Sequence, residues 1–263
     1  MAKFCSLYSS SSGNCTYIGT SQGGILVDVG ISAKRAADAL CGIGVDPSQV
    51  AAIFITHEHA DHINGVRVFA KKFGVPVYAS AGTLSGMQEL GALDPKIKTE
   101  VIPASGIEAA GIFVRPFVTP HDSRESCGYT VELPHGQKAA IATDIGKITP
   151  EIEAALHKCE LVMLESNHDI SMLQAGPYPY YLKRRILSDV GHLSNESCAE
   201  QAKKLIKSGT TRLFLGHLSD ENNFPDLAFQ TTLSALSEVG AVNGRDYILQ
   251  VNKKENADGV IRF

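Results

Sequence analysis

Residues 56–62 read THEHADH and place four potential metal ligands close together: His57, His59, Asp61 and His62. Three imidazoles and one carboxylate this close together suit one or two divalent metal ions better than any other partner. His57 and His59 point the same way on an extended segment, because side chains repeat every second residue. A polar turn rich in histidine is the alternative, but crowded, unpaired imidazoles and carboxylates would cost free energy there. The segment therefore predicts a metal site.

The elements on either side of this segment decide where its side chains point. The apolar residues 51–55 before it predict a buried strand, and the pattern of residues 62–73 after it predicts a helix. Asp61 and His62 then project from the start of the helix, toward a second ion. The candidate ligands thus lie where a strand turns into a helix.

Strand-like and helix-like stretches alternate over the whole chain. No Pro/Gly/Ser linker, charge block or low-complexity tract marks a second domain, so we expect a single α/β domain over residues 1–263. Apolar runs predict strands at residues 24–29, 51–56, 76–79, 111–118, 128–133, 138–143, 160–165, 212–216 and 247–251. Helical patterns predict helices at residues 33–40, 62–73, 150–156, 195–208 and 225–239.

The composition is that of an ordinary globular protein, with 44% apolar and 20% charged residues among 263. No run approaches the roughly eighteen apolar residues of a membrane span, and the N-terminus lacks the apolar region of a secretory signal, so we expect a cytoplasmic protein with no membrane partner. A net charge of -4 gives no global attraction to nucleic acid. The six cysteines form no Cys-x-x-Cys pair, which favours buried free thiols over a zinc ribbon or a disulfide framework.

Two pairs of similar segments connect the halves of the chain. Residues 25–30 (ILVDVG) resemble residues 140–146 (AIATDIG), each an apolar strand that ends in Asp-x-Gly. Residues 53–57 (IFITH) resemble residues 213–217 (LFLGH), each an apolar strand that ends in His. Two similar units that face each other would bring the C-terminal ends of their strands together, where α/β sheets usually hold their ligands.

Further candidates for the site lie at predicted strand ends or in the loops that adjoin them. They are His121, Asp144, His192 and His217. His168 also follows a predicted strand. It either lines the cleft or belongs to a loop whose polar groups are hydrogen-bonded to one another.

The order of these residues resembles the pattern of the metallo-β-lactamase superfamily. That pattern is an Asp at an early strand end, His-x-His-x-Asp-His, a single His, a single Asp and a final His. It is matched over nearly the whole chain by Asp28, residues 57–62, His121, Asp144 and His217. The resemblance implies a four-layer αββα sandwich built from two similar halves.

The resemblance also implies two divalent metal ions, zinc or manganese, although His/Asp sites accept iron as well. His57, His59 and His121 would hold one ion, Asp61, His62 and His217 the other, and Asp144 would bridge both. A shared carboxylate holds two cations about 3.5–4 Å apart, and the water between them ionises near neutral pH to give a bridging hydroxide, the nucleophile.

Asp28 matches a position that supports the site without binding a metal. A carboxylate there would orient a ligating imidazole through its other nitrogen. The alternative is a capping or turn aspartate ahead of Gly30.

Motifs in the C-terminal half, together with one near the start of the chain, favour a phosphodiester substrate. Four segments resemble the YycJ (WalJ) group of the superfamily: GHLSNE at 191–196, GHLSDENN at 216–223, SSGN at 11–14 and SNHD at 166–169. That group is regarded as DNA exonucleases, so the resemblance implies hydrolysis of DNA. The expected catalytic residues are Asp61, Asp144 and His192. The imidazole of His192 can protonate the leaving oxygen. The alternative is that His192 caps the helix that begins near Ser194.

The candidates for substrate contacts are Ser194, His168, Lys183 and Arg184. The last two belong to residues 178–185 (YPYYLKRR), where aromatic rings beside three basic residues could stack bases and neutralise phosphates. A solvated helix face with a partly buried tyrosine stripe is an equal alternative.

Two other functions compete with that of a nuclease. A small-molecule phosphodiesterase, or a thiolesterase like glyoxalase II, is favoured by the acidic net charge. A non-catalytic scaffold with a structural metal site is disfavoured, because every hydrolytic position is present.

Overall fold

The computed structural model of the protein describes residues 2–256 and 259–262, whose strands form two seven-stranded sheets. The first sheet contains β1 (Lys3–Tyr8), β2 (Cys15–Thr20), β3 (Gly23–Val27), β4 (Val50–Phe54), β5 (Val77–Ala79), β6 (Thr99–Val101) and β14 (Ile261–Arg262). The second contains β7 (Ile107–Ala109), β8 (Ile112–Val118), β9 (Cys127–Glu132), β10 (Lys138–Ala142), β11 (Leu161–Glu165), β12 (Arg212–Gly216) and β13 (Ile248–Val251).

Helices connect many of the strands. They are α1 (Ala33–Gly42), α2 (Ala60–Ile63), α3 (Val66–Phe73), α4 (Ala81–Glu89), α5 (Pro150–Leu156), α6 (Ile170–Ala175), α7 (Tyr180–Ile186), α8 (Asn195–Ser208) and α9 (Pro225–Glu238), with a short 3-10 helix at Pro47–Gln49. Hydroxyl side chains at Ser32, Ser80, Thr149 and Ser194 accept a hydrogen bond from the backbone three residues on, and so begin four of these helices. Within the described part of the chain, no helix is long and apolar enough to cross a membrane.

The two sheets repeat one strand pattern. In the first, β1, β2 and β3 are antiparallel neighbours, and β4, β5 and β6 follow β3 in parallel. In the second, β8, β9 and β10 are antiparallel neighbours, and β11, β12 and β13 follow β10 in parallel. The predicted two similar halves are therefore present in the topology.

The sheets pack face to face and carry helices on their outer faces. In β3, Ile25 and Val27 face the second sheet and share a core with Met163 of β11, whereas Leu26 faces the other way and packs with Phe69 of α3. The outer face of the second sheet packs on α5, α8 and α9. This layer order is the predicted αββα sandwich.

One pair of similar segments is equivalent in the fold and the other is not. The Asp-x-Gly segments follow β3 and β10, which are the third strands of the two repeats. The His-ending segments follow β4 and β12, but β4 is the neighbour of β3, and the neighbour of β10 is β11. The counterpart of β4 is therefore β11, which ends in Glu165.

All nine predicted strands are present, with ends displaced by no more than two residues. The predicted helix at 62–73 is wrong in one respect, because it is divided into α2 and α3. The backbone at Gly65 passes so close to Ile31 that a Cβ there would lie 2.1 Å from the Ile31 carbonyl oxygen. Five of the six cysteines are buried free thiols, as predicted, whereas Cys41 is exposed.

Candidate metal centre and cleft

Three of the predicted site residues lie at strand ends in an unusual backbone conformation. Asp28 follows β3, Asp144 follows β10 and His217 follows β12, and their φ angles are 60°, 57° and 57°. Non-glycine residues rarely adopt this left-handed conformation, which costs on the order of 1–3 kcal/mol and clusters at functional sites. The fold therefore holds these three side chains in directions that a regular strand end would not provide.

The glycine of each Asp-x-Gly segment allows another part of the backbone to come close. A Cβ on Gly30 would lie 1.6 Å from the carbonyl oxygen of Asp61, and a Cβ on Gly146 would lie 2.2 Å from that of Asp189. Gly30, the glycine of the first Asp-x-Gly segment, therefore allows the backbone of Asp61 to come close to the end of β3.

His57, His59 and His121 form one group of potential ligands. One nitrogen of each lies within 4.8 Å of the others. His121 Nε2 is 3.3 Å from His59 Nδ1, and His121 Nδ1 is 3.1 Å from the carbonyl oxygen of Gly191. A ring that donates from Nδ1 to this carbonyl presents the lone pair of Nε2 to a cation.

Asp61, His62 and His217 form a second group within the same limit. The Nε2 atoms of His62 and His217 lie 3.2 and 3.4 Å from Asp61 Oδ2. Asp28 lies behind this group, with its Oδ2 atom 2.8 Å from Nδ1 of His62, and it also accepts hydrogen bonds from the backbone and hydroxyl of Thr56. These contacts are those expected of a carboxylate that orients a ligating imidazole.

Asp144 lies between the two groups. Its Oδ2 is 3.3 Å from Nε2 of His62, and its Oδ1 is 3.5 Å from Nε2 of His217 and 3.7 Å from Nε2 of His121. One buried carboxylate thus reaches ligand atoms of both groups, as a bridging ligand must.

Buried polar atoms indicate whether cations fit this arrangement. Among the residues that the structure describes, His57 Nε2 and Asp144 Oδ2 are buried and lack a hydrogen-bond partner. Each such atom costs about 1–3 kcal/mol if nothing binds it. The two groups with Asp144 supply five imidazoles and two carboxylates, which is the donor chemistry of zinc, manganese and iron sites. The residues present therefore fit divalent cations.

The electrostatics differ between the two groups. Burial lowers the pKa of His57 and of His121, so both are neutral rings able to donate a lone pair. Burial also disfavours the charged forms of His62 and His217, but the neighbouring carboxylates outweigh it. The pKa of His62 lies well above its usual value and that of His217 is raised to about 10. The carboxylates therefore favour the protonated, positively charged forms of the two imidazoles in the second group.

Glu165 is a site residue that the sequence patterns missed. Its buried carboxylate has Oε1 at 2.8 Å from Nδ1 of His192 and at 2.9 Å from Nδ1 of His217. Oε2 accepts hydrogen bonds from the backbone of Ile145 and Leu193. Although burial disfavours its charge, the two imidazoles hold the pKa of this carboxyl below its usual range. The one available signal was an acidic residue at the end of an otherwise apolar strand.

Three further polar side chains that were not predicted position the histidines. The Ser9 hydroxyl accepts a hydrogen bond of 2.9 Å from the backbone of His217, and the Asn167 amide donates one of 2.9 Å to the His217 carbonyl. The Asn14 amide lies 3.1 Å from Nε2 of His62. Asn14 and Asn167 belong to the SSGN and SNHD segments, so those motifs serve the site from the loops of both halves.

A cleft of about 380 Å³ opens beside the two groups. Its walls include Ser11, His59, Asp61, Asp144, Asn167, Tyr178, Leu182, Arg185, Ile186, His192, His217 and Ser219. His192 lies at the cleft, with Nδ1 3.7 Å from Asp144 Oδ1. The helix-capping role considered for His192 belongs to Ser194, which accepts a hydrogen bond from Ser197 at the start of α8.

None of the four predicted substrate contacts lines the cleft. Two of them, His168 and Ser194, have structural positions instead. His168 is buried, burial lowers its pKa to about 4, and its neighbour Asn167 lines the cleft instead. Ser194 is the helix cap. Side chains that leave a strand end in succession point in different directions, so a one-residue error changes which one meets the cleft.

The three basic residues of α7 differ in their position relative to the cleft. Lys183 donates hydrogen bonds to the carbonyls of Gln174 and Gly176, and Arg184 is exposed. The basic residue that lines the cleft is Arg185, which forms an ion pair with Asp122.

A model of the Metallo-beta-lactamase superfamily matches residues 10–217, a span that contains all the potential ligands. The chain belongs to the metallo-beta-lactamase superfamily. Two bacterial relatives within the superfamily are similar over most of their length. Exodeoxyribonuclease WalJ of Streptococcus pneumoniae is 36% identical over 93% of this chain and 92% of its own. Exodeoxyribonuclease YycJ of Bacillus anthracis is 36% identical over 90% of each chain.

Solved structures of the superfamily share the fold. The metallo-beta-lactamase fold protein YhfI of Bacillus subtilis aligns with a TM-score of 0.71 over 97% of this chain and 98% of its own, at 15% identity. At that identity the likeness concerns the fold alone, and it agrees with the αββα sandwich described above.

Proposed function

We propose that this metallo-beta-lactamase protein is a DNA exonuclease that hydrolyses phosphodiester bonds with two divalent metal ions. The observation that carries the proposal is the convergence of the other six predicted ligands around Asp144, with His192 held beside them at the cleft. The names of the two relatives, both exodeoxyribonucleases, support DNA as the substrate. A DNA substrate also favours the cytoplasmic location that we propose.

We assign the ligands as two sets that share one carboxylate. The first is His57, His59 and His121, the second is Asp61, His62 and His217, and Asp144 belongs to both. Two ions, when bound there, polarise a phosphodiester and lower the pKa of the attacking water. Zinc or manganese are the proposed ions, and iron suits the same donors.

We assign His192 to the leaving oxygen. Its Nδ1 faces Glu165 Oε1 at 2.8 Å, so the carboxylate orients the ring. Nε2 is then the nitrogen that can give a proton to the oxygen that departs from phosphorus. General acid catalysis of this kind contributes about 10²–10⁴ in rate.

A substrate panel tests the proposal. Metal-loaded protein is incubated with end-labelled DNA, bis-(p-nitrophenyl) phosphate, S-lactoylglutathione and a cephalosporin. We expect nucleotides to be released from DNA, hydrolysis of the phosphodiester model compound, and no preference for the thiolester or the lactam. An Asp144→Asn variant, which keeps the side-chain shape and removes the shared charge, should lose the phosphodiester reactions.

Two results would contradict the proposal. Faster turnover of S-lactoylglutathione than of any phosphodiester would establish the thiolesterase alternative. Metal-loaded protein that hydrolyses none of the four compounds would favour a scaffold.

A further inference from the structure

Helix α7 presents two different faces, and only one of them belongs to the site described above. Leu182, Arg185 and Ile186 line the cleft, together with Tyr178 just before the helix. These positions are three and four residues apart and so share one side of the helix. The opposite side carries Tyr180, Tyr181, Arg184 and Leu187, all of which are exposed.

The outer face of α7 is unusually aromatic for a surface in water. Tyr180 and Tyr181 are 76% and 74% exposed. The guanidinium carbon of Arg184 lies 6.0 Å from the centroid of the Tyr180 ring. Leu187 and Val190 extend the exposed apolar surface beyond the helix. Two exposed aromatic rings with apolar residues next to them in sequence form a candidate contact surface.

The local charge indicates which occupant fits. Helix α7 contains Lys183, Arg184 and Arg185 and no acidic residue, in a chain whose net charge is -4, and of the three only Arg185 forms an ion pair among the described residues, with Asp122. A positively charged surface with exposed aromatic rings suits a polyanion that also has flat apolar groups. Single-stranded nucleic acid combines these two properties, because its bases stack on aromatic side chains and its phosphates attract basic residues.

We propose that the outer face of α7 binds single-stranded DNA by stacking bases on Tyr180 and Tyr181, with Arg184 facing the phosphate backbone. Bases inside a duplex have both faces covered by their neighbours, so the rings select unpaired bases. The other face of the same helix forms the wall of the cleft, so a strand bound to the outer face reaches the cleft by passing over one edge of α7. The inference deepens the proposed nuclease function and rests on it for the bond that is cut, but the surface itself contains none of the proposed metal ligands.

Binding to the metal-loaded protein tests this surface. The probe is a fluorescent single-stranded oligodeoxynucleotide whose phosphorothioate linkages resist hydrolysis, and the readout is fluorescence anisotropy. A Tyr180→Ala/Tyr181→Ala variant should raise the Kd about tenfold for each ring removed. A Tyr180→Phe/Tyr181→Phe variant keeps the rings and should bind like the wild type. Leu90→Ala, at another exposed apolar residue, is the matched control and should leave binding unchanged.

An abasic oligonucleotide separates stacking from a general loss of structure. It should bind the wild type as weakly as the complete strand binds the double alanine variant, and the variant should scarcely distinguish the two probes. A double alanine variant that binds the complete strand like the wild type would overturn the inference, as would a wild type that does not bind the strand. A change of oligomeric state in sedimentation, caused by the alanine substitutions, would identify the face as a contact between copies of this chain and would also overturn it.

The proposed function can fail independently of this surface. A wild type that binds the strand through the two rings but leaves unmodified DNA uncut would contradict the nuclease function and support the surface. A wild type that cuts DNA, with binding that does not depend on the rings, would give the opposite answer.

Discussion

At the scale of single residues, one buried carboxylate controls two imidazoles with different proposed tasks. Glu165 Oε1 contacts both His192, assigned to the leaving oxygen, and His217, assigned to a metal ion. The backbone of Ile145 and Leu193 satisfies the other oxygen, so the carboxylate cannot rotate without losing hydrogen bonds. Glu165 is therefore expected to set the orientation of both rings.

Glu165→Gln tests this positioning role. The amide keeps the shape of the side chain but removes the charge, and its single oxygen cannot satisfy all the donors that the carboxylate accepts. Metal affinity should fall about 10–100-fold, as is typical when a residue that supports a ligand is replaced. Titration of the metal-free protein with zinc measures the change. Glu200→Gln, at an exposed acidic residue of α8, is the control and should leave the affinity as it was; equal affinities in all three proteins would refute the role.

His192→Ala tests the assignment of the general acid. We expect the metal content and the fold to be retained while hydrolysis of DNA slows by about 10²–10⁴. The loss should be smaller for bis-(p-nitrophenyl) phosphate, because p-nitrophenolate leaves with little need of a proton. Single-turnover rates on both substrates, with metal content measured in parallel, provide the comparison.

Ser194→Ala is the control for His192, since it removes a neighbouring hydroxyl that caps α8. It should cost about 1 kcal/mol of stability and leave the rate of the folded enzyme unchanged. If His192→Ala slows both substrates by the same factor with its metals bound, the histidine does not protonate the leaving group.

At the scale of elements, the sequence patterns identified the strands with continuous apolar runs and missed elements with weaker patterns, among them β1 and β2, which are buried although they contain polar residues. The inner strands β3, β4, β10, β11 and β12 are nearly continuous apolar runs, and that is the pattern of a strand between two packed layers. Strand β6 is exposed along its length, and α4 contains two glycines and two polar hydroxyl residues within nine residues. Such segments acquire their conformation from their neighbours.

The candidate site likewise contains residues that the sequence could identify and residues that it could not. The two ligand groups were implied by the resemblance of the order of histidines and aspartates to the superfamily pattern, and the apolar runs located the strand ends that carry several of these residues. Glu165 could not be assigned, because its role depends on two rings that lie 27 and 52 residues away in sequence. The direction of His168 could not be predicted either, since it depends on how the chain leaves β11.

Gly30→Ala tests whether the end of β3 determines the position of Asp61. The new Cβ would lie 1.6 Å from the Asp61 carbonyl oxygen, so one of the two segments must move. We expect the free energy of unfolding to fall by about 1–3 kcal/mol and metal affinity to decrease. Chemical denaturation and zinc titration measure the two effects.

Gly42→Ala is the matched control, because Gly42 ends α1 and a Cβ there would have no atom of the described residues within 4 Å. That substitution should be neutral or stabilise the helix by up to about 1 kcal/mol. A Gly30→Ala protein as stable as Gly42→Ala, with unchanged metal affinity, would show that the close approach has no role.

At the scale of the whole molecule, the site exists only where the two halves meet. The first half supplies His57, His59, Asp61 and His62, and the second supplies His121, Asp144 and His217. Asp144 joins the sets, and the packed core between the sheets fixes the distance between them. The pairing of two similar halves thus creates a site that neither half contains alone.

The central claim is that this site holds two metal ions and that both are needed for hydrolysis. Metal-free protein is titrated with zinc or manganese while bound metal and the rate of DNA hydrolysis are measured on the same samples. We predict that binding saturates at two equivalents per chain and that activity rises mainly as the second equivalent binds. Saturation at one equivalent with full activity would contradict the account.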